Sequence, residues 1–478
     1  MESPSWLVLS IAWLASLAFL SKIFIGWRWR QLKFPPGPKP WLIIGNLNLI
    51  GSLPHQSLHK LSQRYGPLMQ LKFGSYPVVV ASSAEMAKEF LKKHDHIFAS
   101  RPQTAAGKYT TYNYCNITWA PYGPYWRQGR KIYLHELFSS KRLESFEYIR
   151  VEEMQAFVTR LYRLSGKPIG VKEQLSRVTL SIISRIVLGK KYFSEKSDDR
   201  PGSNSIVSLQ EFQEILDELF LLNGGYVKRM KALKKKLDPF HDHVFDEHKQ
   251  KKKEFSKDFV PQDMVDLLLQ LADDPDSEVK LTYDGVRGFT QDLIAGGTDT
   301  SATTVEWAIS ELIRQPQLIR QATEELDRVI GRERWVEERD IPQLPYINAI
   351  MKETMRKHPV SVLLAPHLAL EDCNVAGYHI RKGTRVFVNT WSIGRDPLLW
   401  EKPEEFRPER RMCPGYSLGV KMIQSSLANL LHGFNWKLPD NTKAEDLSMD
   451  EVYGLATPRK FPLVAVIEPR LPLHLYSI

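Results

Sequence analysis

Cys413 stands in the setting best suited to chemistry, because two arginines, Arg410 and Arg411, come just before it in the chain. A nearby positive charge lowers the pKa of a thiol and favours the thiolate, the form that binds a metal or attacks an electrophile. Pro414 and Gly415 then turn the backbone, and a helix-compatible run follows. The alternative is an inert, buried thiol that packs as a small apolar side chain.

Asp299 and Thr300 form a second candidate pair, inside a helix predicted over residues 289–312. They follow Gly296 and Gly297, and each glycine in a helix interior costs about 1 kcal/mol relative to alanine. Glycine lets a planar ligand or a small molecule approach the backbone, and hydroxyl groups that bond back to the helix bend it. We therefore interpret Asp299 and Thr300 as a proton relay at a local opening. A kinked core helix is the alternative.

Two further pairs place charged groups on one helix face. Trp126 and Arg130 lie four residues apart, so the ring and the guanidinium share a face that suits a bound carboxylate. A packed tryptophan beside a solvated arginine is the alternative. Glu353 and Arg356 lie three residues apart and form either an exposed bridge or a buried pair that needs a third partner. The arginines available as that partner are Arg407 and Arg410.

The composition is that of an ordinary folded chain of 478 residues, with 43% hydrophobic and 25% charged residues. The formal net charge of +10 indicates an anionic surface or an acidic partner. The sequence has no zinc-ligand spacing and no nucleic-acid-binding motif, so we expect no nucleic-acid partner. Its three cysteines are too far apart to form a disulfide framework, which places most of the chain in a reducing compartment.

The N-terminus carries an apolar run over residues 6–25, which as a helix would be about 30 Å long and would cross a bilayer. Tryptophans and basic residues follow it at once, which places this flank on the cytosolic side. The basic cluster follows the apolar run and no small-residue cleavage site is present, so an uncleaved anchor is favoured over a signal peptide. We predict an anchor with its basic flank over 1–33, a proline-rich hinge over 34–40 and one large domain over 41–478.

That domain is predicted to be predominantly α-helical with small β-sheets. A strand pair is expected at 68–73 and 77–81, helix dominates beyond residue 140, and strands return at 375–380 and 384–390. The sequon Asn116-Ile117-Thr118 would accept a glycan only in the lumen, so on a cytosolic domain it has no such role.

In their order along the chain, these motifs resemble those of membrane-bound plant cytochromes P-450. The motifs are the anchor with its Pro-Pro-Gly-Pro hinge, Trp126 with Arg130, Ala-Gly-Gly-Thr-Asp-Thr-Ser at 295–301, Glu-Thr-Met-Arg at 353–356, Phe-Arg-Pro-Glu-Arg at 406–410 and Arg-Met-Cys-Pro-Gly at 411–415. The resemblance covers essentially the whole chain. Its last third, at 365–367 and 389–397, is similar to the plant group that contains flavonoid hydroxylases and homoterpene-forming oxygenases.

The resemblance implies the cytochrome P-450 fold and a haem b cofactor. Cys413 would be the axial thiolate of the haem iron, a ligand that favours cleavage of the O–O bond. Asp299 and Thr300 would guide protons during oxygen activation. The residues implied at the haem propionates are Trp126, Arg130, His367 and Arg411. The residues implied in a structural cluster are Glu353, Arg356 and Arg410.

The resemblance also implies an activity and its partners. The enzyme would insert one oxygen atom from dioxygen into a small hydrophobic plant metabolite, such as a flavonoid, a terpenoid or a phenolic compound. Electrons would come from NADPH through a flavoprotein NADPH–cytochrome reductase, with cytochrome b5 as a further candidate partner. The anchor would hold the protein in the endoplasmic reticulum membrane, in contact with lipid, with the catalytic domain on the cytosolic face.

The chain is shorter than the family pattern just before the cysteine. Family members carry a meander and a Pro-Phe-Gly-x-Gly-Arg loop between the two last motifs, whereas only Arg411 and Met412 separate Arg410 from Cys413 here. Three residues span at most ~11 Å, so one stretch can hardly both hold the Glu353 pair and present the thiolate as relatives do. A second shortening is expected near 222–226.

Two rival interpretations follow from this shortening. One is a catalytically dead, membrane-tethered splice or gene-model variant that cannot hold haem correctly. The other is a haem protein that does not activate dioxygen, such as an isomerase-like or peroxide-using enzyme. The presence of Asp299 and Thr300 argues against the second interpretation.

Overall fold

The computed structural model describes residues 32–192, 211–215, 218, 227–255, 260–276, 279–408, 417–439 and 442–476, and positions 6, 10, 12–14, 16 and 17. Within these ranges, no helix is both long enough and apolar enough to cross a membrane. Most of the predicted anchor over 6–25 lies outside the described residues. So do the expected shortening at 222–226 and the segment 409–416, which contains Cys413.

The described helices and strands are as follows in chain order. The helices are α1 (Pro54–Tyr65), α2 (Ala84–Lys88), α3 (Asp95–Phe98), α4 (Ala105–Thr110), α5 (Pro124–Lys131), α6 (Ser140–Ser145), α7 (Glu147–Arg163), α8 (Val171–Leu188), α9 (Val227–Phe255), α10 (Met264–Asp273), α11 (Tyr283–Arg314), α12 (Pro316–Val329), α13 (Pro345–Lys357), α14 (Thr390–Ile393) and α15 (Ser417–Gly433). The strands are β1 (Leu68–Phe73), β2 (Tyr76–Ala81), β3 (Pro168–Gly170), β4 (His367–Leu368), β5 (Cys373–Val375), β6 (Tyr378–Ile380), β7 (Arg385–Val388), β8 (Phe434–Lys437) and β9 (Val464–Pro469).

These elements belong to two compact units. The first unit comprises Met1–Gly51, Ser57–Ser100 and Pro366–Val388. The second unit comprises Ser52–Gln56, Arg101–Ala365 and Asn389–Ile478. The predicted division of the chain at 33 and 40, with a single domain over 41–478, stays a prediction.

The first unit is built on a four-stranded sheet in the order β1-β2-β7-β4. β1 and β2 form the antiparallel hairpin that the sequence predicts, and Leu68 lies opposite Ala81. β7 runs parallel to β2, and β4 runs antiparallel to β7. The single strand predicted at 375–380 is wrong: the chain forms the hairpin β5–β6, because Ala376 and Gly377 adopt left-handed φ angles of 48° and 78° and turn the backbone.

The second unit is mostly helical and carries a three-stranded sheet in the order β3-β9-β8. Its centre is α11, a 32-residue helix that packs against α8, α13 and α15. α11 begins at a capping bond, since the Thr282 hydroxyl accepts from the Gly285 amide at 3.1 Å. It ends at Arg314, two residues before Pro316. The predicted helix over 289–312 and the predicted fold class, predominantly α with small sheets, are confirmed.

Candidate functional site

The central helix α11 is buried along most of its length but opens at Gly296, which is exposed. A Cβ atom added at Gly296 would meet none of the described atoms within 4 Å. A Cβ atom at Gly297 would lie 2.4 Å from Cδ1 of Ile183 in α8. The two glycines therefore have different tasks: Gly297 lets two helices pack closely, and Gly296 leaves backbone accessible to a ligand.

Thr300 lies on the open side of the helix, since it follows Gly296 by four residues. Its hydroxyl donates to the Gly296 carbonyl at 2.7 Å. Thr298 makes the equivalent bond to Ile294 at 2.7 Å, but its side chain is buried. The Thr300 oxygen keeps acceptor capacity, so this hydroxyl can both receive and pass a proton beside the opening.

Asp299 is buried on a different side of α11 from Thr300. Its Oδ1 lies 3.0 Å from Nζ of Lys172, at the start of α8. No local pattern in the sequence marks Lys172, because its partner is more than a hundred residues away in the chain. The interpretation of Asp299 and Thr300 as one relay stays a prediction.

Trp126 and Arg130 share one face of α5, as their spacing predicts. The Arg130 guanidinium lies 5.8 Å from the centre of the Trp126 ring, and Arg130 is exposed. The Trp126 indole donates to the Ile117 carbonyl at 3.2 Å. The pair therefore places an exposed guanidinium beside an aromatic ring whose indole is hydrogen-bonded to Ile117.

Glu353 and Arg356 form a fully buried pair on α13. The guanidinium Nε and Nη2 donate to the two carboxylate oxygens at 2.7 and 2.8 Å. The remaining donors go to the backbone carbonyls of Gly394, Pro403 and Glu405. All five guanidinium donors are thus used, which is what a buried charge requires.

The third partner of this pair is the backbone of Arg407. Its amide donates to Oε1 of Glu353 at 2.7 Å, whereas its guanidinium lies 2.6 Å from the exposed Glu405. Arg407 and Arg410 were the residues available as this third partner. Arg407 takes the role through its backbone amide, and Arg410 lies outside the described residues.

His367 belongs to the first unit and is described there by itself. It lies in β4, where Nδ1 is 2.7 Å from the Phe98 carbonyl oxygen. Arg411 and Cys413 lie outside the described residues, and α15 begins at Ser417, shortly after them in the chain. The haem-binding roles of His367, Arg411 and Cys413 stay predictions.

Asp292 is a polar residue with several hydrogen bonds that was not among the predicted site residues. It precedes Gly296 by one helical turn and accepts hydrogen bonds from all three residues of the sequon Asn116-Ile117-Thr118. Burial raises the pKa of this carboxyl to about 6, although the donors offset part of the effect. Asp292 lies four residues before Gly296 and eight residues before Thr300, and this helical spacing was the sequence signal that could have placed it on the same face.

Comparison with known proteins agrees with the sequence-based resemblance. The cytochrome P-450 family model matches residues 35–464. The trimethyltridecatetraene synthase of Zea mays is 43% identical over 94% of this chain and 91% of that protein. The flavonoid 3'-monooxygenase of Petunia hybrida is 38% identical over 100% of both chains. That second alignment extends over 524 positions, more than the 478 residues of this chain, so the relative has residues without a counterpart here.

The fold agrees with solved structures as well. A zebra fish cytochrome P-450, in a structure with abiraterone, superposes with a TM-score of 0.74. It is 27% identical, and the match covers 87% of this chain and 100% of that chain.

Proposed function

Because this chain belongs to the cytochrome P-450 family and is a haem-containing monooxygenase of the plant type, we propose that it inserts one oxygen atom into a small hydrophobic plant metabolite. The substrate class we propose is a flavonoid, a terpenoid or a phenolic compound. Support comes from the names of the relatives, a homoterpene synthase and a flavonoid monooxygenase. The observation that carries the proposal is the exposed Gly296 beside the Thr300 hydroxyl, in the middle of a helix that is buried along most of its length.

The residues at this opening fit a haem. The backbone at Gly296 is accessible and carries no side chain, so a flat macrocycle can lie against the helix there. When bound, the haem supplies an iron that activates dioxygen with electrons from a redox partner. Cys413 would bind that iron through its thiolate. The residues that would bind the propionates are Trp126, Arg130, His367 and Arg411.

The chain's own groups would then hold and move protons. The Thr300 hydroxyl, fixed by its bond to the Gly296 carbonyl, would present its oxygen to the opening. The Asp299 carboxylate, which is paired with Lys172, would give and take protons on the buried side of the helix. The side chains of Glu353 and Arg356 would hold the segment 394–407 in place through hydrogen bonds to its backbone. That segment leads directly to Cys413 in the chain.

The redox partner we propose is a flavoprotein reductase that takes electrons from NADPH, with cytochrome b5 as a second candidate. The net charge of +10 favours an acidic partner surface. We place the protein at the endoplasmic reticulum membrane through the apolar run over 6–25 and its basic flank. Carbonate extraction of microsomes tests this placement: the full chain should stay with the membrane, and a chain that starts at residue 34 should be released more readily.

The decisive experiment is the carbon-monoxide difference spectrum of the reduced, membrane-expressed protein. We expect the strongly red-shifted Soret band of a thiolate-ligated haem, and its loss in Cys413→Ser. The comparisons give no support to the alternative of a chain that cannot hold haem. Absence of the shifted band would nevertheless favour that alternative and overturn the proposal. A chain with the glycine-rich loop of a relative inserted before Arg411 would then show whether the short connection is the cause.

A further inference from the structure

One carboxylate in α11 fixes three consecutive residues of a loop. Oδ1 of Asp292 accepts from the side-chain amide of Asn116 at 2.6 Å. Oδ2 accepts from the amides of Ile117 and Thr118 at 3.0 and 3.2 Å, and from the Thr118 hydroxyl at 3.2 Å. Hydrogen bonds to an ionised acceptor are stronger than those between neutral groups. The loop is thus held by its backbone and by its side chains.

The same loop is held from α5 on another side. The Trp126 indole donates to the Ile117 carbonyl at 3.2 Å, and the Tyr125 hydroxyl donates to the Cys115 carbonyl at 2.7 Å. A Cβ atom at Gly288 would lie 2.8 Å from the Cys115 carbonyl oxygen, so the loop backbone runs directly against α11. Residues 115–118 therefore bridge the helix that carries Trp126 and the helix that carries Gly296.

The backbone that leads into this loop needs such support. Tyr112, Asn113 and Tyr114 have φ angles of 51°, 58° and 65°. Three consecutive left-handed residues other than glycine are rare, and they persist only where surrounding contacts hold them. Asp292 supplies contacts of that kind immediately after the strained run. Without them, we expect the loop to leave its place on α11.

The position of Asp292 decides what this loop does. Asp292, Gly296 and Thr300 follow one another at intervals of four residues and so lie along one face of α11. Residues 115–118 are bound to that face one turn before the opening at Gly296. A ligand that meets Thr300 at this opening would therefore have the loop one helical turn away along α11.

We propose that Asp292 is a positioning residue of the monooxygenase, which holds residues 115–118 against α11 and thereby limits the size of ligand that fits beside Gly296. This inference rests on the proposed function, because the space concerned is the haem and substrate side of the helix. Asp292 itself is not placed in contact with the substrate. It acts through the loop.

Hydrogen exchange of the full-length protein tests the contact without any need for activity. We expect the amides of residues 112–119 to exchange about tenfold faster in Asp292→Ala, while α7 and α13 stay unchanged. Asp284→Ala removes an exposed carboxylate from the same helix and should leave 112–119 as it is. If Asp292→Ala does not fold, Thr118→Val, which removes one of the four bonds, should still raise exchange in this loop. Unchanged exchange in a folded variant would overturn the proposal.

Haem ligands of two sizes test the effect on the space beside Gly296. Imidazole and 4-phenylimidazole are titrated by difference spectroscopy into the holoenzyme. We expect Asp292→Ala to change the ratio of the two dissociation constants about tenfold in favour of the larger ligand, with imidazole itself unaffected. An unchanged ratio together with a loosened loop would overturn the role in ligand size. If the wild-type protein contains no haem, the proposed function and the role of Asp292 in ligand size are both refuted. Hydrogen exchange would then decide by itself whether Asp292 holds the loop.

Discussion

Lys172 and Asp299 form an ion pair between the first turn of α8 and the middle of α11, with 3.0 Å from Nζ to Oδ1. Asp299 is buried, whereas the next residue, Thr300, lies on the open side of the helix. The two residues of the predicted relay thus have different partners: a lysine from another helix and the carbonyl of Gly296. Any exchange of protons between them has to start from a carboxylate that is held in an ion pair.

We expect Lys172 and Asp299 to be energetically coupled. A double-mutant cycle with Lys172→Met and Asp299→Asn, measured as the free energy of unfolding in urea, should give an interaction energy of about 0.5–3 kcal/mol. The exposed pair Lys437 and Glu468, 2.8 Å apart, is the matched control and should give less than about 1 kcal/mol. Equal coupling in both pairs would mean that burial adds nothing to the Asp299 contact.

With electrons supplied through the proposed reductase, Thr300→Ala should separate the consumption of NADPH from the formation of product. The variant loses the hydroxyl at the opening, and we expect product formed per NADPH to fall about tenfold or more, because a positioned proton donor contributes at least that much. NADPH oxidation should continue. The measurement is NADPH loss against product for a substrate found by screening.

Thr298→Ala is the control for that experiment. Thr298 makes the same 2.7 Å bond to the helix backbone as Thr300, but it is buried away from the opening. Loss of the Thr298 hydroxyl should leave the ratio of product to NADPH unchanged. Thr300→Ser keeps a hydroxyl at the opening and should have a ratio close to that of the wild type. A drop of equal size in Thr298→Ala would assign the effect to the helix and not to the hydroxyl.

Arg356→Ala should lower the free energy of unfolding by about 3–5 kcal/mol, because it leaves the Glu353 carboxylate buried without its partner. Arg407→Ala removes only an exposed guanidinium and leaves the backbone amide on Glu353, so a loss of less than about 1 kcal/mol is expected. Denaturation in urea compares the two variants. Similar losses of free energy in the two variants would mean that the Arg407 side chain, and not only its backbone amide, stabilises the Glu353–Arg356 pair.

Much of the fold follows from local patterns in the sequence. The β1–β2 hairpin and the central helix were predicted because alternation and helical spacing act within a few residues. The hairpin β5–β6 was predicted as one strand, because the turn signal of Gly377 was not used and a left-handed Ala376 has no sequence signature. Residues that pair within one helix, such as Glu353 with Arg356, were found by spacing alone.

Partners from distant parts of the chain were not found in this way. Lys172 and Asn116 carry no local signal of their contacts with α11, because those contacts depend on how helices and loops meet in three dimensions. The sequon at Asn116 was predicted to have no role as a glycan acceptor. In the structure its three residues all donate hydrogen bonds to the Asp292 carboxylate. The motifs in their order therefore identified the family, whereas the contacts that support the site could be found only from the fold.

The Asp292 contact should weaken in mild acid. Burial raises the pKa of this carboxyl to about 6 from an ordinary value near 3.8, so it gains a proton as the pH falls from 7 to 5. A protonated carboxyl is a weaker acceptor for the amides of Ile117 and Thr118. We expect exchange of these two amides, corrected for the intrinsic effect of pH, to increase with a midpoint near pH 6.

Global unfolding cannot produce that increase through Asp292. Its folded-state pKa lies above the unfolded value, so its contribution to the free energy of unfolding grows as the pH falls through 6. Cys115, Tyr125 and Tyr133 lie in the loop and in the segments packed near it, and burial raises the pKa of each further above this window. Asp292→Asn should abolish the midpoint, and a transition that survives in this variant would assign it to another group.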